Sequence, residues 1–209
     1  KRWEDVVLDR VQTELSAADF PPESRDSMRN MLGSSTKRRR DECDTDTQRR
    51  PDMLYLVREA RDARVVAALL LEVDEHSHSD RDASCELSRV DDVVQAVNQL
   101  AQKEGCARGA AARAYVTQPV FLVLRLNPNA LDAKPAVKLD RRVDALVARS
   151  LAFLRTSHEE LAARSRDGEA MLPAVRCLFY HSKQGAKHLA AYAAAHAEKK
   201  LRFLGNQTE

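Results

Sequence analysis

Residues 64–80, RVVAALLLEVDEHSHSD, constrain this chain more than any other stretch. From Val65 to Leu71 every residue is apolar, which leaves no polar face. A short run of that kind, bounded by charge, predicts a β-strand buried on both sides. Such a strand needs a sheet with helices packed over both faces. The run then ends abruptly in Glu72, Asp74, Glu75, His76 and His78. Alternation puts Leu70, Glu72, Asp74 and His76 on one side and Leu71, Val73 and Glu75 on the other. The carboxyl end of a buried strand is where open α/β sheets place ligands.

The remaining segments supply partners for that strand. WEDVVLDRVQTEL (3–15) sets Val7, Val11 and Leu15 at helical spacing beside Trp3 and Leu8, and Pro21-Pro22 ends what precedes it. MRNML (28–32) reads as a brief helical turn. RPDMLYLV (50–57) alternates and forms an antiparallel hairpin with 61–75. SRVDDVVQAVNQLAQ (88–102) gathers Val90, Val93, Val94, Val97 and Leu100 on one stripe, the mark of an amphipathic helix. KEGCARGAAARA (103–114) reads as a loop. VTQPVFLVLRLNP (116–128) is a second doubly buried strand, stopped by Asn127-Pro128. Strand, helix, strand implies a parallel pair with a crossover. One long helix is expected over 137–166, a strand over 173–182 and an Ala-rich helix over 185–204. The fold class is therefore α/β, a small mixed sheet flanked by helices with an extra helical C-terminal part. The expected parts are an N-terminal helical segment (1–32), a charged loop (33–49), a core (50–136) and C-terminal helices with one strand (137–209).

With 209 residues, 44% of them apolar, the chain is large enough for a core. Its 34 basic and 32 acidic residues nearly cancel, so a basic character is local rather than global. The loop GSSTKRRRDECDTDTQRR (33–50) has no aliphatic residue and reads as solvated or disordered. Within it, Lys37, Arg38, Arg39 and Arg40 resemble a nuclear-localisation or phosphate-binding run. Cys43, Cys85, Cys106 and Cys177 show no CxxC spacing, which argues against a zinc cluster and suits an intracellular, reducing compartment, with the nucleus as one candidate. No apolar run reaches the roughly 20 residues that span a bilayer, so no membrane partner is expected. The chain opens on Lys1 rather than Met, which leaves open whether it is a fragment of a longer chain.

Two strands thus turn polar at one edge, with Arg125 and Asn127 following FLVL. Hairpin pairing would bring Asp52 near Asp74, so that Asp52, Glu72 and Asp74 converge. Three close carboxylates repel one another, and a divalent cation relieves that repulsion. Oxygen ligands suit Mg²⁺ or Mn²⁺. His78 could carry a proton, while Arg89 and Arg125 could hold a phosphate or steady the carboxylates.

The order RPD, a hydrophobic strand ending E-x-D-E-x-x-H, C-E-x-x-R and hydrophobic-R-x-N-P resembles the restriction-endonuclease-like superfamily, nearest to its Vsr-like branch and to nuclease-like domains of large DNA viruses and algae. The matching residues are Arg50, Pro51, Asp52, Glu72, Asp74, Glu75, His78, Cys85, Glu86, Arg89, Arg125, Asn127 and Pro128, within about residues 50–130. The resemblance implies a metal-dependent nuclease core with Asp52 as central metal ligand, assisted by acids on the next strand. It also implies a histidine in place of the superfamily's lysine, since Asp74 stands where that lysine would fall. DNA is the implied substrate, with RNA as a second candidate. Lys37, Arg38, Arg39, Arg40, Arg49, Arg50, Arg108 and Arg113 would supply phosphate contacts.

Each feature also has a plainer meaning. Asp52 after Pro could be a turn residue. Cys85 reads as a small packed residue, Glu86 and Arg89 as a helix-surface pair, and His181, His188 and His196 as surface imidazoles. Two alternatives to the nuclease stay open: an inactive nucleic-acid-binding module on the same fold, and a protein-interaction domain whose C-terminal helices make a homodimer.

Overall fold

A computed structural model of the chain describes residues 2–25, 52–59, 63–74, 83–106, 118–129, 137–166, 172–180 and 186–207. Among the described residues five helices and six strands follow one another: α1 (Trp3–Ala17), β1 (Ser24–Arg25), β2 (Met53–Arg58), β3 (Val65–Val73), α2 (Ala83–Cys106), β4 (Val120–Leu126), α3 (Leu139–Leu154), α4 (His158–Arg166), β5 (Ala174–Leu178), α5 (Ala186–Ala197) and β6 (Arg202–Gln207). They make one mixed sheet in the order β1-β2-β3-β4-β5-β6, in which β1 is a two-residue edge. The strands β1, β2 and β3 are antiparallel, and β3 through β6 run parallel.

The expected doubly buried strand is β3, whose nine residues are all buried. Its leucines alternate between two cores. Leu69 and Leu71 join Val7, Val11 and Leu15 of α1 and Val143 and Leu146 of α3 on one side. Leu70 joins Val90, Val93 and Val97 of α2 and Tyr192 of α5 on the other. Burying one such leucine stabilises the fold by about 1.5–3 kcal/mol relative to exposing it.

Four expectations are corrected. The single helix over 137–166 is two helices. Arg155 N–H closes α3 on Leu151, and the Ser157 hydroxyl then accepts the Glu160 N–H at 3.1 Å and caps α4. The Ala-rich helix stops at Ala197 rather than 204, with Lys199 in the left-handed region at φ 57° and Lys200 N–H bonded back to Ala195. Residues 202–207 then pair with β5, so the C-terminal part holds two strands where one was expected. The helix expected over 88–102 begins earlier, at Ala83, and runs to Cys106. The turn expected at 28–32 and most of the 103–114 loop lie outside the described residues. Among the described residues no helix is long and apolar enough to cross a membrane.

Candidate functional site

Sheet register alone builds a polar row. Met53 pairs with Leu71 in antiparallel register, so Asp52, one residue earlier, stands opposite Glu72. Glu72 pairs with Arg125 across the parallel ladder, and Arg125 with Cys177. Asp52 is fixed from the other strand as well, because its Oδ2 accepts the Val73 N–H at 2.7 Å. The row faces the side of the sheet covered by α2 and α5, along with Leu54, Leu70 and Val123. Asp74 extends it upward, with its N–H bonded to the Leu126 carbonyl at 2.7 Å.

Two arginines divide this row into two halves. Arg125, only 1% exposed, donates from Nε to Asp74 Oδ2 at 2.6 Å and from Nη2 to Asp74 Oδ1 at 2.7 Å. The same Nη2 reaches Glu86 Oε2 at 2.6 Å, and Nη1 donates to the Tyr192 hydroxyl. The guanidinium also lies over the Tyr192 ring, 5.7 Å from its centroid. Tyr180 donates its hydroxyl proton to Asp74 Oδ2. Burial opposes the charge on Arg125, but Asp74 and the two tyrosines outweigh it and leave the guanidinium firmly protonated. A two-pronged guanidinium–carboxylate pair, with its remaining donors satisfied, is the form in which a buried ion pair is well tolerated.

The second half holds Asp52, Glu72 and Arg89. Arg89 Nη2 is 3.4 Å from Asp52 Oδ1 and 2.8 Å from Glu72 Oε2. The Glu72 oxygen makes no hydrogen bond despite its short approach, so this contact is Coulombic rather than directional. Burial pushes Asp52 up to about 6, with Glu4 and Asp74 adding to the rise and Arg89 and the Val73 N–H opposing it. Burial likewise raises Glu72 well above its ordinary range. Among the described residues, four carboxylates (Asp52, Glu72, Asp74, Glu86) meet two guanidiniums. A cluster with that excess of negative charge takes up protons or a cation.

Of the six expected catalytic residues, five are brought to one sheet edge: Asp52, Glu72, Asp74, Arg89 and Arg125. They do not form one ring. Both Asp74 oxygens are occupied by Arg125, so Asp74 is engaged as an ion-pair partner rather than turned toward Asp52 and Glu72. Arg125 is equally enclosed, which leaves the more exposed Arg89 as the arginine able to reach a phosphate. His78, Lys37, Arg38, Arg39, Arg40, Arg49, Arg50, Arg108 and Arg113 lie outside the described residues.

Several side chains differ from their expected roles. Glu86 is buried and bonded to Arg125, and Arg89 reaches across to the sheet, so the two are not a helix-surface pair. Cys85 is disulfide-bonded, while Cys177 is a buried free thiol. His188, expected on the surface, is 1% exposed and has no hydrogen-bond partner on either ring nitrogen. Burial and then Arg125 lower its proton affinity, which holds the ring neutral. Helical spacing puts it on the same face of α5 as Tyr192. His196 is exposed as expected.

No family model, curated protein or solved structure matches the chain. The site must therefore be judged on its own donor set. Among the described residues, no group of three or more His, Cys, Asp or Glu side chains is gathered as a metal-ligand set. Two carboxylate oxygens nevertheless converge on a single nitrogen, that of Arg89. One of them, Glu72 Oε2, is buried without a hydrogen bond. Mg²⁺ is commonly held by one or two carboxylates while it keeps several waters. Asp52 and Glu72 fit that requirement, provided Arg89 moves aside.

Proposed function

We propose that the chain is a metal-dependent phosphodiester hydrolase acting on DNA, of the restriction-endonuclease-like kind that its motifs resemble. The observation that carries this reading is the row of carboxylates at the carboxyl edge of β3 and β4, with Asp52 and Glu72 sharing the guanidinium of Arg89. Asp52 and Glu72 would hold Mg²⁺ or Mn²⁺, which supplies an acidified water and polarises a phosphoryl oxygen when bound. Asp74 serves by position: fixed by Arg125 and Tyr180, it adds negative charge beside the ligands without being one. Arg89, the more exposed of the two arginines, is the one suited to grip a phosphate. The choice of DNA, with RNA as the alternative, rests on the resemblance and on the basic residues at 37–50 and 108–113.

The test is cleavage of supercoiled plasmid with Mg²⁺ or Mn²⁺ by the parent, Asp52→Asn and Glu72→Gln. Loss of cutting in both variants supports the reading, and cutting equal to the parent's in both removes it. One observation favours an inactive DNA-binding module instead. The enclosure of Asp74 by Arg125 leaves two carboxylate ligands, not three. A parent that retards DNA in a gel and never cuts it would decide for that module.

A further inference from the structure

On the α3 side of the sheet, opposite the carboxylate row, the strands β5 and β6 carry basic residues. Arg176 of β5 pairs with Leu124 of β4, a core residue on the α3 side, so its side chain leaves the sheet on that side. Arg202 of β6 stands opposite Ala174, two residues before Arg176, which puts it on the same face and diagonal to Arg176. Its neighbour Phe203 points the other way, into the core under α2 and α5. From α3 comes Arg149, whose Nε donates to Gln207 Oε1 of β6 at 3.2 Å. Burial and then the nearby Arg149 lower the proton affinity of Arg176.

These guanidiniums have no counter-charge. Among the described residues no carboxylate forms an ion pair with Arg149, Arg176 or Arg202, and Arg202 Nε is buried without a hydrogen bond. Other part-buried arginines each meet an acid, Arg58 with Glu104, Arg64 with Glu59 and Arg89 with Glu72. Arg142 also lacks an acid, but its Nη1 is taken up by the carbonyls of Asn127 and Asn129. Like charges brought together without an opposite charge favour an anion between them. The planar donor fork of arginine matches the oxygens of a phosphate. Arg149 is exposed and Arg176 partly so, which leaves both within reach of such a group.

We propose that Arg149 and Arg176, with Arg202 beside them, bind a phosphate group between α3 and the β6 edge. The inference needs neither a metal nor cleavage. A backbone phosphate of DNA and free phosphate offer the same oxygens, and the test separates them.

The full chain is titrated with a labelled DNA duplex by fluorescence anisotropy across a salt series, and with inorganic phosphate by phosphorus NMR line broadening. Arg149→Gln and Arg176→Met are made singly and together, and the exposed Arg149 serves alone if the Arg176 variant does not fold. For a backbone phosphate, the double variant should bind duplex at least tenfold more weakly at low salt. Its slope of log affinity against log salt should be smaller by about 1 to 2. For free phosphate, the broadening should disappear in the variants while duplex binding stays unchanged. Unchanged binding of both ligands in the variants, or no binding of either by the parent, overturns the inference. Plasmid cutting that needs Asp52 and Glu72, beside variants that bind as the parent does, overturns this site alone and leaves the hydrolase standing.

Discussion

Asparagine at position 52 keeps the shape of aspartate and loses its charge. In the folded chain Asp52 holds its proton up to about pH 6, against an ordinary value of 3.8, because burial outweighs the help of Arg89 and the Val73 N–H. Between those two values the folded state binds more protons than the unfolded one. The associated stability is therefore complete below pH 3.8 and lost as pH rises through about 6. A gap of roughly two units corresponds to about 3 kcal/mol. Asparagine cannot ionise and escapes that loss, while its Oδ1 can still accept the Val73 N–H. Asp52→Asn should therefore be more stable than the parent by up to about 3 kcal/mol at pH 8, and by less than about 1 kcal/mol at pH 4. For a chain of this length the gain at pH 8 is a rise in melting temperature of roughly 5–10 °C. Urea denaturation at the two pH values measures it. If the variant is less stable than the parent at pH 8, then the carboxylate stabilises the fold through Arg89, and the surplus-charge reasoning fails.

Other consequences are sharper in one property each. Arg125→Met strands Asp74 and Glu86 without their shared cation, and should cost about 3–5 kcal/mol in chemical denaturation. A cost below about 1 kcal/mol would mean that the other partners of Asp74, Tyr180 among them, satisfy it. His188 is held neutral, so the unfolded chain takes up its proton more readily, and stability should fall as pH drops below about 6.5. Comparing parent and His188→Gln between pH 7 and 5 should show a shallower acid loss in the variant, and an unchanged slope would count against a neutral buried ring. Replacing Lys37, Arg38, Arg39 and Arg40 by serine should lower the slope of log affinity for duplex DNA against log salt by about 3 to 4. An unchanged slope removes that run from the interface.

The sequence carried the centre of the sheet and the acid-bearing edge, because both depend on short-range pattern. Seven apolar residues followed by Glu72 and Asp74 read as a buried strand with acids at its carboxyl end, and hairpin pairing brings Asp52 to that end, although the register sets it opposite Glu72 where Asp74 was expected. The break between α3 and α4 was also written in the chain. Ser157-His158-Glu159-Glu160 has the S-x-x-E spacing of a capped helix start, a signal outweighed by the continuous apolar stripe around it. β6 had no such mark. Residues 202–207 become a strand only because β5 offers an open edge, a tertiary cause that no local pattern reports. The division of labour between Arg89 and Arg125 was out of reach for the same reason. Which acid each arginine meets depends on where α2 crosses the sheet, and the two residues look alike in sequence. Tyr192 and His188 were missed because an Ala-rich helix shows no stripe to say which face turns inward, and Tyr180 because it lies just past the end of β5, where strand alternation no longer assigns a face.

Anomalous diffraction from crystals grown with Mn²⁺ examines the pairing of Asp52 and Glu72 without reliance on activity or DNA. A peak bonded to one oxygen of each side chain, with Arg89 swung out and Arg125 still on Asp74, is the expected result. Arg89 unmoved at saturating Mn²⁺, with no peak between the two carboxylates, would contradict it.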